Sequence, residues 1–376
     1  MLNSKEFKQC SDLVYLNHAA VGPWPRRTME AVCAFARENV HHGARYYPRW
    51  LHTEQALRGQ LAELLHAPSV DDIALLKNTS EGLSLLAYGL DWREGDNIII
   101  AREEFPSNRI VWESLARFGV TLRQANLDSD DSPEDAMLAM MDERTRLLSV
   151  SSVQYATGRR MDVQRLGIMC RRHGVLFCVD AIQSLGVLPL DVQAVHADVV
   201  VADGHKWMLG PEGLAVFYCA APLRPRLRLT QYGWHMVEHH GDYDRRAWQP
   251  AASARRFECG SPNMLGIHAL HASLSLLLEV GIGQVARQVL THSAYLIEVL
   301  SKIKGCELLS PTAPDRYAGI VTFRLRRTPA EQLWRHLMDQ GVICACRGGG
   351  VRFSPHYYTT REQLTRAVEL VARFEG

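Results

Sequence analysis

Lys206 stands just behind the apolar run "DVVVA", and Asp180 closes the run "VLFCV". Both runs are short and rich in β-branched residues, the pattern of strands buried on both faces. In an open α/β sheet the cleft lies beyond the carboxyl ends of the strands, and both ionisable groups fall there. About 26 residues separate them, roughly one strand-helix-strand unit. Neighbouring parallel strands would therefore present a carboxylate and an amine to the same cleft. Desolvation there lowers an ammonium pKa and leaves more neutral, nucleophilic amine, which is the condition for forming an imine with an aldehyde.

A second cluster offers an anion site. "NTSEG", residues 78–82, opens a helix with free backbone N–H groups and the hydroxyls of Thr79 and Ser80, a setting suited to phosphate. Gln183 lies one turn after Asp180. Phosphate site, carboxylate and lysine in this order describe a pyridoxal 5′-phosphate (PLP) site: aldehyde on the amine, ring nitrogen on the carboxylate, phosphate on the helix end. Each residue also has a plainer reading. Asp180 can cap the helix after its strand, Thr79 and Ser80 can be ordinary N-caps, Gln183 a solvated helix residue and Lys206 a turn lysine. The rest of the chain has to decide between the two.

The elements that would position these groups follow from the hydrophobic pattern. Helical patterns cover about 26–41 and 53–65, and "DIALL", "DNIIIAREEF", "RLLSVSSVQ", "VLFCVDAIQ", "ADVVVADGHK" and "GLAVFYC" read as strands, several separated by helical stretches. This alternation predicts a large, mostly parallel sheet with helices on both faces. Residues 223–254, rich in Arg, His, Tyr, Trp and Pro, look like an excursion near the surface or over a cleft. Beyond about 263 a long helical region leads to strand "GIVTFRL", helix "AEQLWRHLMDQG", two short strands around "VICACRGGGVRFS" and the final helix "TREQLTRAVELVARF". A chain of 376 residues is long for one core. We expect a large α/β domain over 20–255 and a smaller α+β domain formed by 1–19 and 256–376, joined by the long helix.

Composition narrows the partners. Forty-two basic and 41 acidic side chains leave a net charge of +1, so nothing global draws nucleic acid or an anionic membrane. "MLNSKEFKQC" lacks the apolar core of a signal peptide and no run is long enough for a membrane span, so a cytoplasmic location is expected. Nine cysteines without a CxxC pair suggest neither a disulfide framework nor a zinc ribbon. "HMVEH", 235–239, fits the H-x-x-E-H pattern of inverted zinc proteases, but Gly233 and Gly241 bracket it closely. Imidazole and aromatic groups lining a substrate cleft fit it better, and no metal site is expected. "LRPRLRL" has no other basic patch to join.

Taken in order, "NTSEG", "EEFPSN", "SSVQYATG", "VDAIQSLG", "ADGHKWMLGPEG", "RRFECGSPN" and "VRFS" span nearly the whole chain. Together they resemble the class V aminotransferase family, fold-type I PLP enzymes that include cysteine desulfurases, kynureninase and isopenicillin N epimerase. The resemblance implies the fold-type I PLP-dependent transferase fold, a homodimer with shared active sites and a small amino-acid substrate. It makes Lys206 the residue that bonds the cofactor and moves protons at the substrate Cα, and Asp180 the partner of the pyridine nitrogen. Gln183 and Gln154 are then placed near the ring hydroxyl, Phe105 on the ring face, and Thr79, Ser80 and His205 at the phosphate. Ser261 resembles a hydroxyl residue that reaches the phosphate of the neighbouring subunit. Arg352 resembles the arginine that holds a substrate carboxylate.

Two departures bear on the reaction. Where desulfurases commonly have a phosphate-binding serine this chain has Asp203, whose charge would repel a phosphate unless it points away or orients His205, so it is left out of that site. Desulfurases also carry a cysteine on a flexible loop after an arginine. Here Cys344 and Cys346 precede Arg347 and only glycines follow it, a loop too short to swing a thiol over the cofactor. Aminotransfer is therefore the first expectation. The alternatives are a carbon–sulfur lyase or a cysteine desulfurase or selenocysteine lyase-like enzyme, and an isopenicillin N epimerase-like racemase. A cofactor-free scaffold does not account for the intact Lys206 and Asp180.

Overall fold

In the computed structural model, which describes residues 5–7, 12–128 and 132–374, most strands fall into one seven-stranded sheet. Residues 1–4 and 8–11 of the N-terminal stretch grouped above with the small domain lie outside the described residues. A short strand β1 (Val14–Tyr15) comes first. The sheet then takes β2 (Ile73–Leu76), β3 (Asn97–Ala101), β4 (Thr121–Ala125), β5 (Thr145–Ser151), β6 (Leu176–Asp180), β7 (Val199–Asp203) and β8 (Ala215–Cys219). Their spatial order is β2-β8-β7-β6-β5-β3-β4. β8 alone runs against its neighbours, and every other pairing is parallel. This is the large, mostly parallel α/β sheet that the alternation predicted.

The apolar runs are continuous because both faces of the sheet are covered. Along β7, Val200 and Ala202 join a cluster that includes the helices Tyr47–Leu65, Val163–His173 and Met264–Val280. Val199 and Val201 join a second cluster with the helices Thr79–Gly89 and Ser107–Glu113. Successive residues of a strand point to opposite faces, so each face buries alternate members of the run. Helix Thr79–Gly89 lies tight on its face: a Cβ at Gly82 would come within 2.8 Å of Val201 Cγ1.

The C-terminal part has its own core. β9 (Cys306–Leu308), β10 (Val321–Leu325), β12 (Ala345–Arg347) and β13 (Gly350–Phe353) form an antiparallel sheet in the order β12-β13-β10-β9. Residues of the helices Ile282–Ser301, Ala330–Asp339 and Arg361–Ala372 share its apolar cluster. Around "VICACRGGGVRFS" there are three strands rather than two, because β11 (Val342–Ile343) pairs in parallel with the N-terminal β1 before β12 joins the sheet. Leu16 then receives a hydrogen bond from Ser354 N–H, so the N-terminal segment is built into the C-terminal part.

Residues 223–254 hold the 3-10 turn Arg224–Arg226, an isolated bridge between Val237 and Pro250 and, at Ala254, the start of a second 3-10 turn. The stretch after it is pinned by a buried ion cluster. Arg58 donates both terminal nitrogens to Glu258, one also to Glu54 and the other to the Ile73 carbonyl. Among the described residues no single helix is long and apolar enough to cross a membrane, and the apolar pair Met264–Val280 and Ile282–Ser301 meets at 82°.

Candidate active site

β6 and β7 pair with Asp180 opposite Val201, so their carboxyl ends lie side by side. Asp180 closes β6, Lys206 stands on the turn just past β7, and both line a cavity of ≈ 250 Å³. Asp180 is 1% exposed: Oδ1 accepts the Ile182 N–H at 3.0 Å, while Oδ2 is buried without a partner. Burial pushes its pKa up to about 7, opposed by the Ile182 N–H and helped by nearby Glu104. Lys206 is 9% exposed, and burial lowers its pKa to about 8 against the pull of Asp180. Its Nζ stands 5.6 Å from the centroid of the Phe105 ring.

The Lys206 turn is held from three sides. Gly22 N–H donates to the His205 carbonyl at 2.7 Å, and His356 Nε2–H donates to the Trp207 carbonyl at 3.1 Å. Trp207 Nε1–H donates to Gln183 Oε1 at 2.8 Å, and Gln183 Nε2 donates to the Ala19 carbonyl at 3.0 Å. Gln183 lines the cavity, but one side of its amide is thus engaged within the protein and a single N–H is left to face a ligand.

At the other end lies the start of helix Thr79–Gly89. Asn78 caps it by accepting the Glu81 N–H, and Glu81 accepts the Lys77 N–H in return. Thr79 and His205 line the cavity, and Thr79 Oγ1 and His205 Nδ1 are buried without partners. Burial lowers the His205 pKa to about 4, so the ring is neutral at neutral pH. Three expected residues do not line this cavity. Ser80 turns its hydroxyl to Ser107 Oγ at 2.9 Å, and Ser107 is the one on the cavity wall. Gln154 is buried behind it, donating to Glu104, which also accepts the Ser151 N–H and hydroxyl. Ser261 opens instead onto a separate cavity with Lys77 and Glu81.

Arg352 reaches the cavity from β13. It is 2% exposed, donates Nη1 to the Tyr155 carbonyl at 2.7 Å and leaves Nε without a partner. Burial lowers its pKa to about 10, aided by Arg347. Phe105 meets the Tyr155 ring edge to face, with centroids 5.1 Å apart and planes at 79°. Tyr155, Ser107 and Arg347 also line the cavity and were missed as site residues, although the first two lie within quoted motifs. No periodicity distinguishes such side chains from packing or surface residues.

Two expectations are corrected. Asp203, set aside for its charge, lines the cavity, with Oδ1 buried and unpartnered and Oδ2 4.0 Å from His205 Nδ1. The imidazoles and aromatics of 232–248 do not line the Lys206 cavity of their own chain: Trp234, His239, His240 and Trp248 surround another, of ≈ 440 Å³. His235 is buried instead, 3.6 Å from Glu258, and 235–239 is not a helix.

Asp180, Thr79, Asp203, His205 and Arg352 thus each carry a buried polar atom without a partner, all around one cavity. Buried polar atoms are normally paired, so the set marks the place of a polar ligand. A carboxylate for a ring N–H, a helix end for a phosphate and a depressed lysine for an aldehyde fit PLP. A family model described as "Aminotransferase class-V" matches residues 14–366. A probable cysteine desulfurase of Methanothermobacter thermautotrophicus is 29% identical over 387 residues, covering 97% of this chain and 95% of that protein. A cysteine desulfurase of Klebsiella pneumoniae is 31% identical over 345 residues, covering 88% and 82%. Among solved structures, the cystine C–S lyase C-DES with its product cysteine persulfide superposes with TM-score 0.89 at 24% identity, covering 97% of this chain and 99% of that one. The apo cysteine desulfurase of Thermococcus onnurineus NA1 gives 0.87 at 24% identity, covering 98% and 96%. These last two likenesses speak for the fold. The fold and site are those of a PLP-dependent enzyme of fold-type I. The chain belongs to the class V aminotransferase family.

Proposed function

We propose that this enzyme breaks the carbon–sulfur bond of cysteine or a close analogue and releases the sulfur without first passing it to a thiol of its own. Curated relatives of this chain are cysteine desulfurases, which favours sulfur chemistry over the aminotransfer first expected. The observation that carries the rest is that, among the described residues, no cysteine lines the Lys206 cavity. Cys344 is buried in the C-terminal core, and burial pushes its thiol up to about 12. Cys346 pairs with Val351, a member of that core, and so shares its sheet face, opposite to that of Arg352.

When bound, PLP supplies an electron sink for charge developing at Cα. Lys206 is the group that would bond it and afterwards take the Cα proton and pass it to the departing sulfur, its lowered pKa keeping neutral amine available. Asp180 Oδ2 accepts the N–H of the ring nitrogen and holds that proton in place. Thr79 and His205 hold the phosphate, with Ser80 supporting through Ser107, while Phe105 packs on the ring and Gln183 offers its free N–H, with Gln154 behind. Arg352 orients the substrate carboxylate by charge-assisted hydrogen bonds. For cysteine the balance is one water consumed and sulfide, ammonia and pyruvate formed. Ser261, placed away from its own Lys206, serves the site of a second copy in a homodimer. The described cysteines are all unpaired, in keeping with a reducing cytoplasm.

The test is product stoichiometry from the PLP-loaded enzyme on cysteine, selenocysteine and cystine. Equal sulfide, pyruvate and ammonia from cysteine are expected. Alanine with a protein-bound persulfide would replace this reading by a desulfurase, and an oxo acid that keeps its sulfur would replace it by an aminotransferase.

A further inference from the structure

We propose that Asp203 belongs to the phosphate site and binds the cofactor phosphate as a neutral carboxylic acid, so that phosphate binding takes up a proton. The inference rests on the phosphate lying at the Thr79 helix end and is independent of which bond the enzyme breaks. Asp203 is the last residue of β7 and lines the cavity with Thr79, whose backbone N–H and hydroxyl favour its ionised form. Those are the donors a phosphate at this helix end would use. Its Oδ1 is buried without a partner on the cavity wall, and its Oδ2 lies 4.0 Å from the unpartnered Nδ1 of His205.

An ionised carboxylate there would compete with the phosphate for the Thr79 donors and repel it. A protonated carboxyl has one O–H to donate and turns the same contact into a hydrogen bond. The surroundings already lean this way: burial pushes the Asp203 pKa up to about 6 before any phosphate arrives. Of the charged groups packed around it, Lys206 favours the ionised form, while Glu212 and Asp180 oppose it. His205, neutral at this pH, adds no compensating charge. Arg347 and Arg352 enter the cavity from the β12–β13 hairpin, where Arg352 is bonded to Tyr155. A phosphate dianion would add to the negative side and hold the proton on Asp203 more firmly.

Calorimetry on the full chain stripped of PLP tests this. The probes are pyridoxine 5′-phosphate, which has no aldehyde to react with Lys206, and pyridoxine, which has no phosphate. Titrations between about pH 6 and 8.5 in buffers of different ionisation heat count the protons taken up. The phosphate's own second ionisation, near pKa ~6, contributes equally in every variant, so differences between variants isolate residue 203. At pH 7.5 the wild type is expected to take up close to one proton more with the phosphate probe than Asp203→Asn does. Its Kd should rise about tenfold more steeply per pH unit, and Asp203→Asn should bind at least tenfold tighter at pH 8. Asp203→Ser, a second uncharged variant in case the first folds poorly, should behave likewise. Equal proton uptake and equal pH slope in wild type and variants overturn the proposal. Thr79→Val should weaken only the phosphate probe, and if it does not, the phosphate lies elsewhere and the proposal falls with that placement.

Discussion

Gly22 packs its backbone against the carbonyl of Lys206 so closely that a Cβ at position 22 would stand 2.3 Å from that oxygen. The obstacle is main chain, so the two segments must move apart to admit even an alanine. Gly22→Ala should therefore shift the Lys206 turn and lower turnover at least tenfold, with a stability loss of about 1–3 kcal/mol of the kind seen on overpacking. Turnover and thermal unfolding of the two proteins decide it.

Lys206→Ala should fold, because a buried and desolvated ammonium is lost from the cavity. It should lose several orders of magnitude in turnover and all cofactor that borohydride can fix to the wild-type chain. Mass spectrometry after reduction reads the bond, and substantial residual turnover would remove Lys206 from its role.

Asp203 makes the stability of the cofactor-free chain depend on pH. Its pKa is raised from 3.8 to about 6 on folding, so the folded state holds a proton that the unfolded state releases between those values. Stability falls as pH rises through that window and stays low above it, a cost of roughly 3 kcal/mol. Asp203→Asn should be the more stable protein at pH 7–8, with the advantage vanishing below about pH 4. Denaturant titrations at pH 4 and pH 7.5 test the sign.

The double change Cys344→Ala, Cys346→Ala should leave turnover within about tenfold, no more than roughly 1.4 kcal/mol in barrier. Neither thiol belongs to the cavity wall, and burial raises the pKa of both. Loss of sulfide release in this variant would argue for a persulfide on the protein.

Arg352→Gln should raise KM strongly and lower kcat less, since it removes a charged contact to a carboxylate present both before and during reaction. Arg352→Lys should recover little of the loss, because an ammonium cannot both bond the Tyr155 carbonyl and present a fork. Steady-state kinetics on the three proteins separate the two constants.

The sheet and the cavity floor were legible in the sequence because both depend on short-range pattern. Asp180 and Lys206 follow strands that bury both faces, and the pairing of β6 with β7 sets them side by side. Asp203 was left out because an ionised carboxylate repels a phosphate, whereas burial raises its pKa toward neutrality. Arg347 shares a sheet face with Arg352 only through the β12–β13 register, which glycines at 348 to 350 do not announce. Tyr155 meets Phe105 across 50 positions of chain, a contact that no local pattern encodes. The segment 223–254 resisted reading because it is held by Arg255 on the carbonyls of His235 and Val237, not by any period.

The N-terminal strand sets an order of events during synthesis. β1 pairs with β11, His18 Nδ1–H donates to the Ser354 carbonyl 336 residues on, and Tyr358 closes on the other ring nitrogen. A ribosome therefore delivers the segment bearing Ala19 and Gly22 long before its partners. Until then the Lys206 turn has its strand but not the full clamp above it. The large sheet can condense while the chain is still being made, and competence to bind cofactor waits until the segment through Tyr358 has been made.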